Sequence, residues 1–307
     1  MKKVFIDGSS GTTGLRIKER LSNRNDIQFI LLSEENRRNK EMRKECLNNA
    51  DIAILCLPDD AAREAVSFIE NPDTVVIDTS TEHRVSEDFV YGFPEISDNR
   101  NKISAAKKIA NPGCHASGFI SLVAPLRENK IISKDAKIVC FSLTGYSGGG
   151  KKMIAEYESP KRSNLLDAPR MYGLTQNHKH LPEMKKMCDL SSEPMFCPVV
   201  APYYSGMEVS VSLFGESVCG GITAIKEVYR EYYKQGLVHF EETDDGFLSA
   251  CEFSGYDDMQ ITVRGNEERI LLISRFDNLG KGASGSAIQN MNISLGLDES
   301  TGLKLKY

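Results

Sequence analysis

Cys114 is the residue best placed by type and context to do chemistry, since it follows a Pro-Gly turn in the segment Asn111-Pro112-Gly113-Cys114. The apolar positions after it predict a helix over residues 116–129, and Pro125 inside that run predicts a kink or an early end. The pattern places the thiol at or just before a helix N-terminus, where backbone N–H groups and the helix dipole stabilise a thiolate. We expect Cys114 to be a nucleophile; the alternative is a buried cysteine that caps a tight turn.

Two histidines, His178 and His180, are candidates for the general acid/base that such a thiol needs, because imidazole titrates near neutral pH. Their i, i+2 spacing is typical of an extended segment with both rings near one pocket, and not of a helix. His115 adjoins the thiol in sequence, but neighbouring side chains seldom meet face to face. A metal site would need a third ligand, and no Cys/His cluster stands nearby in the sequence, so we predict no metal.

A glycine-rich segment at the start of the chain has the spacing G-x-x-G-x-x-G, formed by Gly8, Gly11 and Gly14. It lies between an apolar strand at residues 2–7 and a helical pattern, an arrangement that presents backbone N–H groups to a diphosphate. The commoner fingerprint is G-x-G-x-x-G, so a tight structural turn is the alternative. Its position directly after the first strand favours a dinucleotide site.

The second predicted strand, residues 27–32, ends in a polar segment that carries Ser33, two carboxylates and then Arg37 and Arg38. A carboxylate at this point binds the ribose hydroxyls of NAD, whereas an arginine accommodates the 2′-phosphate of NADP. Both types occur here, and we favour NADP through Arg37 or Arg38. The alternative is a solvated charged loop.

These residues must be positioned by a framework of alternating elements. Apolar strands at 50–57 and 74–78, with a helix at 59–69 between them, predict a doubly wound parallel sheet of the Rossmann type. Strand ends line the ligand crevice of such a sheet, so Pro58 is expected to face the cofactor or substrate. Two polar loop segments before the cysteine, 81–84 and 91–95, are either structural or in contact with the substrate.

The pattern changes after the cysteine helix. Strands at 137–144, 207–214, 259–263 and 269–276, with an amphipathic helix at 223–236, predict an α+β domain of mixed or antiparallel sheet. Three glycines, 148–150, predict a flexible loop open to a ligand, or a plain linker. A last helix from residue 284 could pack back on the first domain. We therefore predict a cofactor-binding domain at 1–113, completed by 284–307, and an inserted catalytic and oligomerisation domain at 114–283.

Composition excludes several classes of function. The chain has 307 residues and a net charge of −5, with no basic block, so we expect no nucleic-acid partner. No apolar run approaches the ~18 residues of a membrane span, and the N-terminal pattern is not that of a signal peptide. The eight cysteines are scattered without a CxxC pair, which is typical of free thiols in a reducing cytoplasm.

Together, a dinucleotide site, a thiol at a helix start and two histidines favour thioester chemistry coupled to hydride transfer. At these residues the sequence resembles the N-acetyl-γ-glutamyl-phosphate reductase family, in its short form. The resemblance is carried by the Asn111–Cys114 segment, by His178-Lys179-His180-Leu181-Pro182-Glu183, and by Lys281-Gly282-Ala283-Ser284-Gly285. The cysteine segment is shared with aspartate-semialdehyde dehydrogenases, and the H-x-H-x-P-E motif is the more specific mark.

The resemblance implies NADPH-dependent reductive dephosphorylation of N-acetyl-γ-glutamyl phosphate in arginine biosynthesis, by a homodimer or homotetramer. It implies Cys114 as the nucleophile and one histidine of the pair as acid/base, with His180 favoured over His178. The other implied site residues fall into three groups. The cofactor phosphates would be held by Gly8, Ser10, Gly11, Thr12 and Gly14; the nicotinamide half would be approached by Asn278 and Lys281; the substrate would be contacted by Asn111, Ser147, Gly148, Gly149 and Glu183.

One position departs from the longer members of the family, which carry Arg where this chain has Ser205, so the group that binds the substrate α-carboxylate stays open. Two alternatives also stay open. The chain could be an aspartate- or aminoadipate-semialdehyde-type reductase, or a nicotinamide-binding sensor without catalysis. The intact cysteine, histidine pair and glycine segments favour an enzyme.

Overall fold

The structure is a computed structural model that describes residues 1–33 and 35–307. The chain forms two compact units. Unit 1 comprises Met1–Pro94, Asp98–Pro112 and Ala283–Leu303; unit 2 comprises Glu95–Ser97, Gly113–Gly282 and Lys304–Tyr307. The sequence-based boundaries differ from these mainly in two short segments, 95–97 and 304–307, which belong to unit 2. Backbone hydrogen bonds tie the C-terminal segment there, because Asp257 N–H donates to the Lys304 carbonyl at 2.7 Å.

The described residues form helices and strands that are numbered here in chain order. Helices α1 to α9 span Thr12–Leu21, Lys40–Asn49, Asp59–Ser67, Asn99–Ala105, Cys114–Glu128, Gly150–Glu158, Leu181–Met187, Gly221–Tyr232 and Gly285–Ser294. Strands β1 to β13 span Lys2–Asp7, Ile27–Ile30, Ile52–Leu55, Val75–Asp78, Val90–Tyr91, Lys108–Ala110, Val139–Gly145, Arg170–Met171, Met195–Ala201, Met207–Phe214, Val238–Phe240, Met259–Gly265 and Arg269–Phe276.

Unit 1 is built on a six-stranded sheet in the order β2-β1-β3-β4-β6-β5, in which every pairing is parallel. Alternate strand residues face opposite sides. On one face, Val4 of β1 packs with Ile17 of α1 and Ile288 of α9. On the other face, Phe5 of β1 packs with Leu47 of α2 and with α3. Two cores on the two faces of one parallel sheet confirm the predicted doubly wound fold.

Unit 2 is built on a seven-stranded mixed sheet in the order β11-β12-β13-β10-β7-β9-β8, as predicted for the inserted domain. The pairs β11–β12 and β7–β9 are parallel and the other pairs are antiparallel. Helix α5 covers one face closely: a Cβ added at Gly118 would lie 2.4 Å from a Val209 methyl group. Glycine at this position therefore lets the cysteine helix approach the sheet.

Of the kink or early end predicted at Pro125, the early end is not observed. Helix α5 runs past Pro125 to Glu128. A proline cannot donate to the carbonyl four residues earlier, which is that of Ser121. The Tyr233 hydroxyl donates to this carbonyl at 2.7 Å and replaces the missing bond.

Two other local predictions are also wrong. Instead of a flexible glycine loop, residues 146–149 form a 3₁₀ turn and α6 begins at Gly150. Instead of an extended segment, His180 has a right-handed helical conformation and caps α7.

Candidate active site

Cys114 is the first residue of α5, as the sequence predicts, and its side chain is half-buried. The residue before it, Gly113, is the N-cap and supplies no side-chain cap. The chain passes close to the cysteine at Gly282, where an added Cβ would lie 2.9 Å from the Cys114 Cβ. The thiol thus sits where helix N–H groups favour negative charge.

The two histidines lie together at the start of α7, with ring centroids 4.8 Å apart. The His180 backbone N–H donates to Nδ1 of His178 at 3.2 Å. Because Nδ1 of His178 accepts this bond, the proton of the neutral His178 ring is on Nε2. His180 is buried, whereas His178 is half-exposed.

Glu183 is predicted to contact the substrate, but its side chain is only 1% exposed. Its Oε2 accepts the Gly113 N–H at 3.3 Å, and its Oε1 lies 3.9 Å from Nε2 of His180. The Glu183 carboxylate therefore links Gly113, the N-cap of α5, to the first turn of α7. This geometry gives Glu183 a positioning role and does not support substrate contact.

His115 also belongs to this cluster, although sequence reasoning set it aside. Its Nδ1 lies 2.7 Å from the Ser142 hydroxyl and its Nε2 lies 2.7 Å from the Tyr172 hydroxyl. Its ring centroid is 5.8 Å from that of His178 and 5.6 Å from that of His180. Burial, with a smaller contribution from His178, lowers the pKa of His115 to about 3. His115 is therefore neutral and structural in character.

Gln176 explains how the loop that carries the histidines is placed beside β9. Its side-chain amide donates to the Phe196 carbonyl at 2.7 Å and accepts the Phe196 N–H at 2.8 Å. The side chain thus imitates a neighbouring strand. Residue spacing gave no signal for this contact or for Tyr172, because both depend on tertiary packing.

Asn278 and Ser147, predicted to approach the cofactor and the substrate, are bonded to each other. The Asn278 amide donates to the Ser147 hydroxyl at 3.0 Å and accepts the Gly206 N–H at 3.0 Å. Both side chains are buried. Gly148 lies beside them, since an added Cβ would meet the Asn278 amide nitrogen at 3.5 Å. Asn278 thus fixes the turn that contains Ser147, Gly148 and Gly149.

Lys281, predicted to approach the nicotinamide, has no exposed surface. Its ammonium group lies 2.7 and 2.8 Å from the two oxygens of Glu95, which is equally buried. Glu95 Oε1 also accepts the Leu237 N–H at 3.0 Å. The ion pair gives Lys281 a role inside unit 2, and a direct contact with a cofactor is not supported by this burial.

Asn111, predicted to contact the substrate, is a buried residue of unit 1. Its amide donates to the Ala283 carbonyl and accepts from the Asn290 amide, each at 3.0 Å. Arg84 donates to its backbone carbonyl at 3.0 Å. Its amide is used within the unit, and a contact between Asn111 and the substrate stays a prediction.

Unit 1 contains a cleft of about 370 Å³ beside the glycine-rich turn. Of the predicted cofactor residues, its lining includes Gly8, Ser10, Arg37 and Arg38. Gly8 has φ of +86°, and an added Cβ would lie 2.3 Å from the Cys56 carbonyl oxygen, so only glycine fits this turn. The volume of the cleft is within the range of small-molecule sites, and its tight turn is of the kind that approaches a diphosphate.

The remaining predicted cofactor residues surround this turn. Gly11 caps α1, which begins at Thr12, and an added Cβ at Gly14 would lie 2.7 Å from the Gly8 carbonyl oxygen. Ser33 accepts a hydrogen bond from the Asn36 amide at 3.0 Å, and Pro58 is the exposed N-cap of α3. Neither Ser33 nor Pro58 belongs to the lining of the cleft.

The cleft is positively charged. Of the residues that the structure describes, Lys18, Arg37 and Arg38 line it together with one carboxylate, that of Asp7, which forms an ion pair with Arg43 at 2.9 Å. Burial raises the pKa of Asp7, against the lowering effect of Arg43. Glu34, one of the two carboxylates considered for a ribose, lies outside the described residues. The charges favour a ligand with several phosphate groups.

In residues 1–33 and 35–307, no group of three or more His, Cys, Asp or Glu side chains is arranged to hold a metal ion. Within the same ranges, no helix combines the length and the apolar character needed to cross a membrane.

Two family profiles match the chain. "Semialdehyde dehydrogenase, NAD binding domain" matches residues 3–106, and "Semialdehyde dehydrogenase, dimerisation domain" matches residues 114–278. The second match covers more than half of the chain and begins at Cys114. The two matched segments correspond to the first part of unit 1 and to most of unit 2.

Curated relatives that match over almost the whole chain identify a narrower family than the two profiles do. The chain is 42% identical to N-acetyl-γ-glutamyl-phosphate reductase of Sinorhizobium medicae, over 95% of the chain and 98% of the relative. It is 43% identical to the enzyme of the same name from Brucella canis, over 96% and 99%.

Solved structures of aspartate-semialdehyde dehydrogenases share the fold. That of enzyme II from Vibrio cholerae has a TM-score of 0.71 at 18% identity, covering 96% of this chain and 98% of that one. That from Candida albicans, solved with NADP, has a TM-score of 0.67 at 15% identity, covering 96% and 99%.

Proposed function

Because the chain belongs to the N-acetyl-γ-glutamyl-phosphate reductase family, we propose that it reduces N-acetyl-γ-glutamyl phosphate to N-acetylglutamate 5-semialdehyde, a step of arginine biosynthesis. One observation carries this proposal: Cys114 begins a helix beside a cluster of two histidines and a buried carboxylate. A thiol in this setting suits covalent acyl transfer.

Cys114 forms and breaks the bonds to the acyl group. Its thiolate attacks the acyl carbonyl, and the phosphate leaves with the electron pair of the carbon–oxygen bond, so that a thioester remains. NADPH, when bound, supplies the hydride that reduces the thioester. The tetrahedral adduct on the Cys114 sulfur would take a proton from a general acid and return it to the same group as the carbon–sulfur bond breaks, so that the aldehyde departs and the sulfur regains its charge. N–H groups at the start of α5 stabilise the carbonyl oxygen during attack.

A histidine of the pair moves the proton, and we now favour His178 over His180. His178 is half-exposed, so a substrate can reach its ring, and its Nδ1 accepts the His180 N–H. His178 would exchange a proton at Nε2 only while Nδ1 carries a proton, which requires the bond from the His180 N–H to be released. His180 is buried near Glu183 and supports the arrangement. The turn formed by Ser147, Gly148 and Gly149 would face the acyl phosphate.

NADPH would bind in the cleft of unit 1. The diphosphate would lie against the turn at Gly8, Ser10, Gly11 and Gly14 and against the start of α1, where N–H groups are directed outward. Arg37 or Arg38 would bind the 2′-phosphate, since both line the cleft. Unit 1 is therefore the cofactor-binding domain and unit 2 the catalytic domain in this proposal.

The protein would act as a homodimer or homotetramer in the cytoplasm. The sheet face of unit 2 that lies opposite α5 is open and apolar, with Val139, Phe141, Met195 and Leu271 between 39% and 58% exposed. A second copy of this face would cover it, which fits the profile name "dimerisation domain". The eight cysteines are free thiols, as a reducing compartment requires.

The reaction is tested in reverse with the purified protein, phosphate and NADP. We expect NADPH to form with N-acetylglutamate semialdehyde, and not with aspartate or aminoadipate semialdehyde. A matched Cys114→Ser protein should lose at least about 10⁴-fold in rate while it still binds NADP. Turnover with only another semialdehyde would refute the substrate, and full turnover by Cys114→Ser would refute covalent catalysis.

A further inference from the structure

Three side chains of unit 2 form a hydrogen-bonded chain that leads from the core toward Cys114. Ser142 is 0% exposed and His115 is 3% exposed, while Tyr172 at the outer end is half-exposed. The two bonds, Ser142 Oγ to Nδ1 and Nε2 to the Tyr172 hydroxyl, are each 2.7 Å long. The direction of these bonds decides where the phenolic proton points.

The proton count selects one direction. His115 is neutral at physiological pH, since burial lowers its pKa to about 3, so one ring nitrogen donates and the other accepts. If Nδ1 donated to Ser142, the serine hydroxyl proton would be buried without an acceptor, because Ser142 has no other side-chain bond in residues 1–33 and 35–307. An unsatisfied buried group costs about 1–3 kcal/mol. The serine therefore donates to Nδ1, and Nε2–H donates to the Tyr172 oxygen.

This arrangement leaves the phenolic O–H of Tyr172 directed away from His115. The centroid of the Tyr172 ring lies 5.9 Å from that of the His178 ring. The Tyr172 hydroxyl is also bonded to His115, the residue that follows Cys114 in the chain. Burial first, and then the charge of Cys114, raise the pKa of the phenol. Tyr172 thus keeps its proton and can donate it in a hydrogen bond.

We propose that Tyr172 is a catalytic hydrogen-bond donor, whose O–H binds the acyl carbonyl oxygen when Cys114 attacks the carbonyl carbon. Ser142 and His115 are positioning residues that keep the phenolic proton directed toward this oxygen. The proton stays on the phenol throughout, the electron pair of the carbonyl oxygen re-forms the carbon–oxygen double bond, and the phosphate leaves with the negative charge. The inference rests on the proposed function for the identity of the acyl group.

The test separates acylation of Cys114 from its simple alkylation. Acylation by p-nitrophenyl acetate develops charge on a carbonyl oxygen, whereas alkylation by iodoacetamide needs only the thiolate. Tyr172→Phe should lower the acylation rate and kcat by about 100-fold, the usual effect of removing one oxyanion donor, with the alkylation rate and the KM for NADP unchanged. Ser142→Ala should show the same split with a smaller loss.

The control is Tyr232→Phe, which removes a hydroxyl bonded to Ser97 and Glu128 at the far end of α5, about 20 Å away along the helix. It should leave both rates unchanged. Equal losses of acylation and alkylation in Tyr172→Phe would overturn the proposal, as would full acylation by this variant. A larger acylation loss in Ser142→Ala than in Tyr172→Phe would refute the hydrogen-bonded chain. Any of these results leaves the proposed function intact if wild type turns over and Cys114→Ser does not.

Discussion

Removing the buried charge of Lys281 should strongly destabilise the protein. The side chains of Lys281 and Glu95 are both 0% exposed, and the Lys281 Nζ lies 2.7–2.8 Å from the two Glu95 carboxylate oxygens. Lys281→Met would leave the Glu95 carboxylate in the core with the Leu237 N–H at 3.0 Å and without this counter-charge. Breaking a buried pair in this way costs about 3–5 kcal/mol, whereas removing both charges costs much less. We therefore expect Lys281→Met with Glu95→Gln to recover most of the lost stability.

The assay is urea unfolding followed by far-ultraviolet circular dichroism, since the chain contains no Trp. The matched control is Lys306→Met, which breaks the partly exposed pair with Glu252 and should cost no more than about 1 kcal/mol. A lower urea midpoint for Lys281→Met alone, restored in the double variant, supports a role inside unit 2. An unchanged midpoint combined with weaker NADPH binding would refute this reasoning and would return Lys281 to the cofactor site.

Replacing Arg37 and Arg38 with Ala should weaken NADPH binding by about 30-fold and leave NADH binding unchanged, since two exposed phosphate contacts contribute about 2 kcal/mol. Calorimetric titration measures both affinities. Equal losses of NADPH and NADH binding would contradict a role of these arginines at the 2′-phosphate. His115 has a pKa near 6.5 when unfolded and about 3 when folded, so it takes up a proton on unfolding. The free energy of unfolding should therefore fall by about 1.4 kcal/mol per pH unit as the pH falls below 6.5. Urea titrations at several pH values measure this slope, and the contribution of His115 to it should be missing in His115→Gln. Phe141→Asp on the open sheet face should reduce the mass in light scattering, whereas Phe247→Asp, in an exposed loop, should not; an unchanged mass for Phe141→Asp would contradict assembly through this face.

Hydrophobic alternation was sufficient to predict the strands with one buried face. The bounds of β10 match the predicted range because apolar and polar residues alternate along it, and those of β13 match because a short apolar run follows a turn. Helix α2 was missed because it is mostly polar and buries only Arg43 and Leu47. Strand β9 was missed because Pro198 interrupts its pattern, although the Pro198 carbonyl still accepts the Tyr172 N–H.

Residue type and spacing identified Cys114 and the His178–His180 pair as candidates, because these residues occur in short motifs. The same motifs could not reveal which side chains are buried. Glu183 and Asn111 lie in them, yet both bond to protein groups in the core. The partners of Lys281, Asn278 and His115 come from distant parts of the chain, so only the folded structure brings them together.

The most direct test of the central claim is mass spectrometry of the protein mixed with N-acetylglutamate semialdehyde and NADP in the absence of phosphate. Without phosphate the acyl group has no acceptor, so the thioester should accumulate. We predict a mass increase equal to one N-acetylglutamyl group, located on the peptide that contains Cys114 and absent from Cys114→Ser. NADPH formation without this adduct, or with the adduct on another residue, would contradict the account.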